Sequence, residues 1–69
     1  MKYLIVIERT KSNYSAYAPD LPGCVATGKT RLAVRRAMRS AIRMHLNGLR
    51  EDRLAVPRPR AAAESVRMR

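Results

Sequence analysis

The stretch Tyr14-Ser15-Ala16-Tyr17-Ala18-Pro19-Asp20-Leu21-Pro22-Gly23-Cys24-Val25-Ala26-Thr27-Gly28-Lys29-Thr30 decides the fold. It reads as a strand, a double turn, a second strand and the start of a helix. Tyr14 to Ala18 alternates aromatic and small residues, which suits a half-buried strand. Pro19 fits the second position of a turn over Ala18 to Leu21, because its ring presets φ. Pro22-Gly23 fits a type II turn, where glycine takes a positive φ at no steric cost. Cys24 to Gly28 resumes a strand. Gly28 breaks it, and Thr30 stands where a helix N-cap belongs.

Outward from this stretch, the first strand spans Lys2 to Glu8. Tyr3, Ile5 and Ile7 point one way, Leu4 and Val6 the other. Two apolar faces predict a central strand, covered on both sides. Lys11-Ser12-Asn13 is a polar turn, short enough to make an antiparallel hairpin with Tyr14 onward. Three sequential strands with short links form a meander. Arg31 to about Arg50 then reads as one helix, about 30 Å long. Val34, Ala37, Met38, Ala41, Ile42, His45 and Leu49 share a stripe at helical spacing. Gly48 ends this helix early, or Asp52-Arg53 closes a frayed last turn; the pattern leaves both open. Pro57 and Pro59 hold Leu54 to Arg60 extended. Ala61 to Arg69 has the composition of a helix or a frayed tail.

With 69 residues the chain makes one domain at most, with a marginal core. A single cysteine excludes an internal disulfide and a multi-cysteine zinc site. Cys24 itself reads as a small buried hydrophobe. Leu4 to Ile7 is apolar but is cut off by Glu8 and Arg9, so it predicts neither a signal peptide nor a membrane span. The expectation is a cytoplasmic protein. Fifteen basic against five acidic residues give a net charge of +10. That favours nucleic acid or an acidic partner surface.

Candidate chemistry is sparse. Metal-assisted hydrolysis needs convergent carboxylates. Glu8, Asp20, Glu51, Asp52 and Glu64 form no evident triad, so no catalytic site, metal or cofactor is expected. His45 lies in the apolar stripe without an acid or second histidine near it, and reads as a packed imidazole. Tyr3, Tyr14 and Tyr17 read as core or rim packing. Arg35, Arg36, Arg39, Arg43 and Arg50 share the helix face away from the apolar stripe, with no acid among them. They form either a solvated face or an anion-binding one.

The stretch from Tyr14 to Thr30 resembles the central motif of the HicB-like antitoxin family. The likeness continues through Ala41-Ile42, His45-Leu46, Gly48-Leu49-Arg50-Glu51-Asp52 and Val56-Pro57, covering nearly the whole chain. The resemblance implies a final strand over Glu64 to Arg69, returning beside the first. The layout is then β-β-β-α-β, a two-layer α+β sandwich of degenerate RNase H-like type. It also implies a non-catalytic antitoxin that neutralises a HicA-type RNA-cleaving toxin by covering its active surface. The expected contact is the exposed turn Asp20, Leu21, Pro22 and Gly23, flanked by Tyr17. A stiff turn loses little entropy on binding.

The chain departs from the family pattern in three places. Ala33 stands where a glutamate would complete a capping box with Thr30. Arg58 stands between the connector prolines. The arginine-rich helix would repel a basic toxin, so the helix is not the expected toxin face. No helix-turn-helix or ribbon-helix-helix segment is recognisable, so operator binding is not expected. Two rival readings follow: a basic nucleic-acid-binding protein using the arginine face, or a solitary oligomerising relative. A homodimer through the open sheet face or a sheet edge is expected whichever reading holds.

Overall fold

A computed structural model describes residues 1–69. Its elements are β1 (Val6–Arg9), β2 (Tyr14–Tyr17), β3 (Val25–Gly28) and α1 (Arg31–Glu51). The strands form one antiparallel sheet in the order β1-β2-β3, and α1 packs on β3 and β2. This is the expected α+β architecture of meander and covering helix.

Register follows from the two hairpin turns. Thr10 and Asn13 close the first: the Thr10 amide donates to the Asn13 carbonyl at 2.8 Å, and the Asn13 amide donates to Thr10 Oγ1 at 3.1 Å. The pairs Ile7↔Ala16 and Ala16↔Ala26 therefore share one face. Val6↔Tyr17 and Tyr17↔Val25 share the other. Ala16 is buried beneath the helix, with Ile5, Ile7, Tyr14 and Ala26 packed around the same core. Leu4 and Val6, of opposite parity, belong to the face away from the helix.

Thr30 caps α1 as expected. Its backbone is extended, and the Ala33 amide donates to its Oγ1 at 3.0 Å. Gly48 does not end the helix. Leu54 N–H bonds the Leu49 carbonyl at 2.8 Å and Arg53 N–H bonds the Arg50 carbonyl at 3.1 Å. These two bonds are a Schellman motif. Arg53 holds the left-handed position at φ 57, where glycine would be less strained.

Two expectations are corrected. The first strand begins its ladder at Val6, not Lys2, because β2 turns away at Ala18 and leaves residues 2–5 nothing to pair with. It is also an edge strand, not a central one. The cause lies in the second correction: Glu64 to Arg69 form no strand, and residues 54–69 contain no regular element, turn or bend. Pro57 and Pro59 have no amide to donate to a ladder. The Asp20 carboxylate takes the next two amides, at Arg60 and Ala61. The segment is held at its start by side chains rather than by a neighbouring strand.

The core is small. Ala16, Ala18, Leu21, Cys24, Val34 and Met38 are its only fully buried members. Helix and sheet come closest at Gly28. A Cβ there would lie 2.5 Å from the Val34 amide nitrogen and 2.9 Å from its Cα, both backbone atoms that cannot swing aside. Gly48 is the opposite case, with nothing within 4 Å of the added carbon. Gly28→Ala is therefore expected to destabilise by about 1–3 kcal/mol through overpacking. Gly48→Ala is expected to stabilise by about 0.5–1 kcal/mol through helix propensity. Urea unfolding midpoints of the two variants should move in opposite directions.

Candidate binding surface

The corner between β2 and β3 is two turns in series. Leu21 N–H bonds the Ala18 carbonyl at 3.0 Å, closing the Pro19-Asp20 turn. Cys24 N–H bonds the Leu21 carbonyl at 3.0 Å, closing the Pro22-Gly23 turn with Gly23 at φ 81. Ala18 N–H to the Cys24 carbonyl at 3.2 Å seals the base. Both proline readings thus hold, and the corner is stiff because each turn has its φ preset and its bond made.

The corner does not present all four of its residues. Leu21, expected on the exposed turn, is completely buried and packs with Val34 and Met38. A large aliphatic side chain between two turns finds the core below it, and burial stabilises it by roughly 1.5–3 kcal/mol. Its side chain is not available to a partner. Pro22 and Gly23 are exposed, as is Tyr17 at the end of β2.

Asp20 is half-buried and already engaged. Its Oδ2 accepts from the Arg60 amide at 2.9 Å and the Ala61 amide at 3.0 Å. These two backbone bonds, first Ala61 and then Arg60, hold the carboxyl below its usual range. Tyr3 makes a second tie, its hydroxyl donating to the Pro57 carbonyl. Pro19, Asp20, Pro22, Pro57, Arg58 and Arg60 together line a shallow polar groove. The connector is thereby strapped across the chain start and the corner.

Beyond the corner the sheet face away from the helix is uncovered. Tyr17 and Val25 are direct partners across β2 and β3, and are 43 % and 65 % exposed. Val6, partner of Tyr17 on β1, extends this apolar row. Val25 escaped sequence reasoning. The signal was the pair of turns at Pro19 and Pro22-Gly23, which closes Ala18 on Cys24 and so sets 17 and 25, just outside them, opposite each other.

The arginines Arg35, Arg36, Arg39, Arg43 and Arg50 are all exposed on α1. No acid occurs between Arg31 and Arg50. His45 is half-buried on the helix, and no three His, Cys, Asp or Glu side chains converge as a metal site. Cys24 is buried, and desolvation pushes its thiol up, away from the reactive thiolate. No helix is long and apolar enough to cross a membrane.

Comparison with known proteins adds context. A family model described as HicB_like antitoxin of bacterial toxin-antitoxin system matches residues 3–68. A UPF0150 protein of Thermoplasma acidophilum is 32 % identical over 67 residues, covering 96 % of this chain and 97 % of that one. A UPF0150 protein of Helicobacter pylori is 40 % identical over 50 residues, covering 72 % of this chain and 69 % of that one. An uncharacterized 14.9 kDa protein in the rep-hol intergenic region of Haemophilus phage HP1 is 34 % identical over 58 residues. That match covers 84 % of this chain but 44 % of the phage protein, so the chain spans less than half of it. No solved structure matches.

The Asp20 strap yields a signed pH effect. Its carboxyl is held below the unfolded value, so its contribution is present above the ordinary carboxylate range and is lost as pH falls through the lowered value. The amides of Arg60 and Ala61 should be protected at neutral pH, and their protection factors, with the intrinsic pH dependence of exchange divided out, should fall in acid. Asp20→Ala should abolish that protection at every pH while leaving the amides of α1 unchanged. Equal protection in wild type and variant would show that the carboxylate does not hold the segment.

Proposed function

The chain belongs to the HicB-like antitoxin family of bacterial toxin-antitoxin systems, and on that premise we propose that it is a non-catalytic antitoxin that covers the active surface of a HicA-type RNA-cleaving toxin. The toxin-facing residues in this reading are Tyr17, Pro22, Gly23, Val25 and Val6. The observation that carries it is the exposed Tyr17–Val25 pair, set side by side on a stiff sheet next to the corner. An aromatic anchor on a preorganised surface is the usual form of an interface hot spot. Asp20 and Leu21 act from behind: one straps the connector, the other roots the corner in the core.

This surface differs from the arginine flank in sign as well as position. The row Val6, Tyr17, Val25 carries no formal charge, so a basic toxin can approach it without the repulsion the helix would impose. Co-expression with a HicA-type toxin from the same genome should yield a co-purifying complex. Tyr17→Ala and Val25→Glu should each weaken it by about 2 kcal/mol, roughly 30-fold in Kd by calorimetry. Failure to co-purify, or unchanged affinity in both variants, would remove the proposal.

A second reading is favoured by one observation of its own, the five exposed arginines with no intervening acid. Such a flank suits nucleic-acid phosphates. Binding to generic RNA should then fall with salt at a logarithmic slope of about −0.9 or −0.7 per phosphate contacted, for duplex or single strand. Arg39→Glu with Arg43→Glu should abolish it and leave toxin binding intact. Salt-independent binding, or none, rejects this second role.

A further inference from the structure

The molecule exposes far more surface than its mass requires. A compact monomer of 7.8 kDa has about 4,400 Å² of accessible surface, whereas this chain has 6178 Å². Its radius of gyration is 13.5 Å, against about 11 Å for a compact chain of this length. The excess is of the order that a standard protein–protein interface buries.

Two features of the chain are unpartnered, and they fit each other. The first is the outer edge of β1. No backbone hydrogen bond reaches it, and apolar Leu4, Ile5, Val6 and Ile7 run along it. The second is the segment beyond the Asp20 strap. Glu64-Ser65-Val66-Arg67-Met68-Arg69 alternates apolar and polar side chains, the pattern of a strand with one covered face. It has no partner: Val66 and Met68 are 79 % and 81 % exposed.

The segment does not return to its own β1. It leaves the strap at Ala61 with no turn or bend up to Arg69. Residues 61–69 contain no glycine, proline, asparagine or aspartate to make a reversal. We propose that Glu64 to Arg69 adds as a fourth strand to the β1 edge of a second copy of this chain, and that the second copy returns its own segment. Each chain offers one donor strand, and the apolar β1 edge as its acceptor, so a reciprocal exchange closes as a two-fold dimer; the β3 edge stays outside it. The final strand that the family pattern implies is then supplied in trans. The proposal does not rest on the toxin reading, although Val6 of β1 also ends the Tyr17–Val25 row: strand exchange uses the backbone edge of β1 and needs no toxin to be read out.

Both copies carry +10, so salt should strengthen this dimer by screening. Salt should weaken any nucleic-acid complex, and the two associations are thereby told apart. Light scattering on the full chain, freed of nucleic acid, should give twice the 7.8 kDa chain mass. Ser65→Pro with Val66→Pro removes a ladder amide in each copy, because one of two successive amides must face β1, and should raise the dimer dissociation constant roughly 100-fold, since two symmetry-related lesions act together. Circular dichroism should show α1 retained, because Val66 touches no core residue of its own chain. Isotope-filtered NOEs in a dimer mixed from labelled and unlabelled chains should link Met68 methyls to β1 of the other copy. A monomeric mass overturns the proposal. So does a Ser65→Pro, Val66→Pro dimer of unchanged strength, or contacts from Met68 to β1 found only within one chain.

Discussion

The burial of Leu21 beneath two successive proline turns is the constraint on which the rest of the structure depends. Three short backbone bonds, Ala18 to Leu21, Leu21 to Cys24 and Cys24 back to Ala18, leave the corner one conformation. That conformation fixes the register of β2 on β3, and register fixes which side chains face the helix. A slip of one residue would bring Tyr17 and Val25 under α1 and expel Ala16 and Ala26. Small residues on the inner face are what let the helix come close. Ala16, Ala26 and Gly28 leave room for Val34 and Met38 to settle against Leu21. The corner is thus the floor of the core as much as a surface feature.

So little is buried that the chain's stability cannot rest on its core alone. The helix stripe is only half covered at Ile42, Leu46 and Leu49, beyond the reach of short strands. Local devices share the work: the Thr30 cap, the Schellman closure at Arg53 and the strap from Asp20. The cap contributes on the order of 1 kcal/mol, and solvent screens the strap's carboxylate. Such a molecule gains disproportionately from anything that binds the folded form. That is a physical reason for an antitoxin-family chain to be a partner-dependent protein, quite apart from its ancestry.

Local chemistry made most of this legible in advance. The two turns, the cap, the meander and the helix follow from prolines, Gly23, Thr30 and a clear 3.6-residue period. What was not legible depends on long-range competition. The unbroken apolar run Tyr3 to Ile7 read as a central strand, but centrality is decided by whether another strand arrives. Asp20 read as an exposed contact, since nothing in the sequence says that amides forty residues later will claim its carboxylate. Leu21 read as exposed because it sits in a turn, although its size and hydrophobicity argued for the inside. A turn residue's side chain obeys transfer free energy even when its backbone obeys turn geometry.

The edge and the open face meet at Val6, and this joins two roles that would otherwise be separate. Val6 is the outermost apolar residue of the row that includes Tyr17 and Val25, and it also lies on the strand that has an unpaired edge. A strand added there would widen the sheet, and in a register that gives Val66 and Met68 the parity of Val6 one of them would lie beside Val6, because side chains on adjacent strands share a face in register. A ligand on the open face would then touch both copies at once. Its affinity would depend on dimerisation, and dimerisation would depend on it by the same factor, since coupling free energy is reciprocal. The arginine flank on the far side of the helix takes no part in this coupling, which leaves it free to meet a different class of partner.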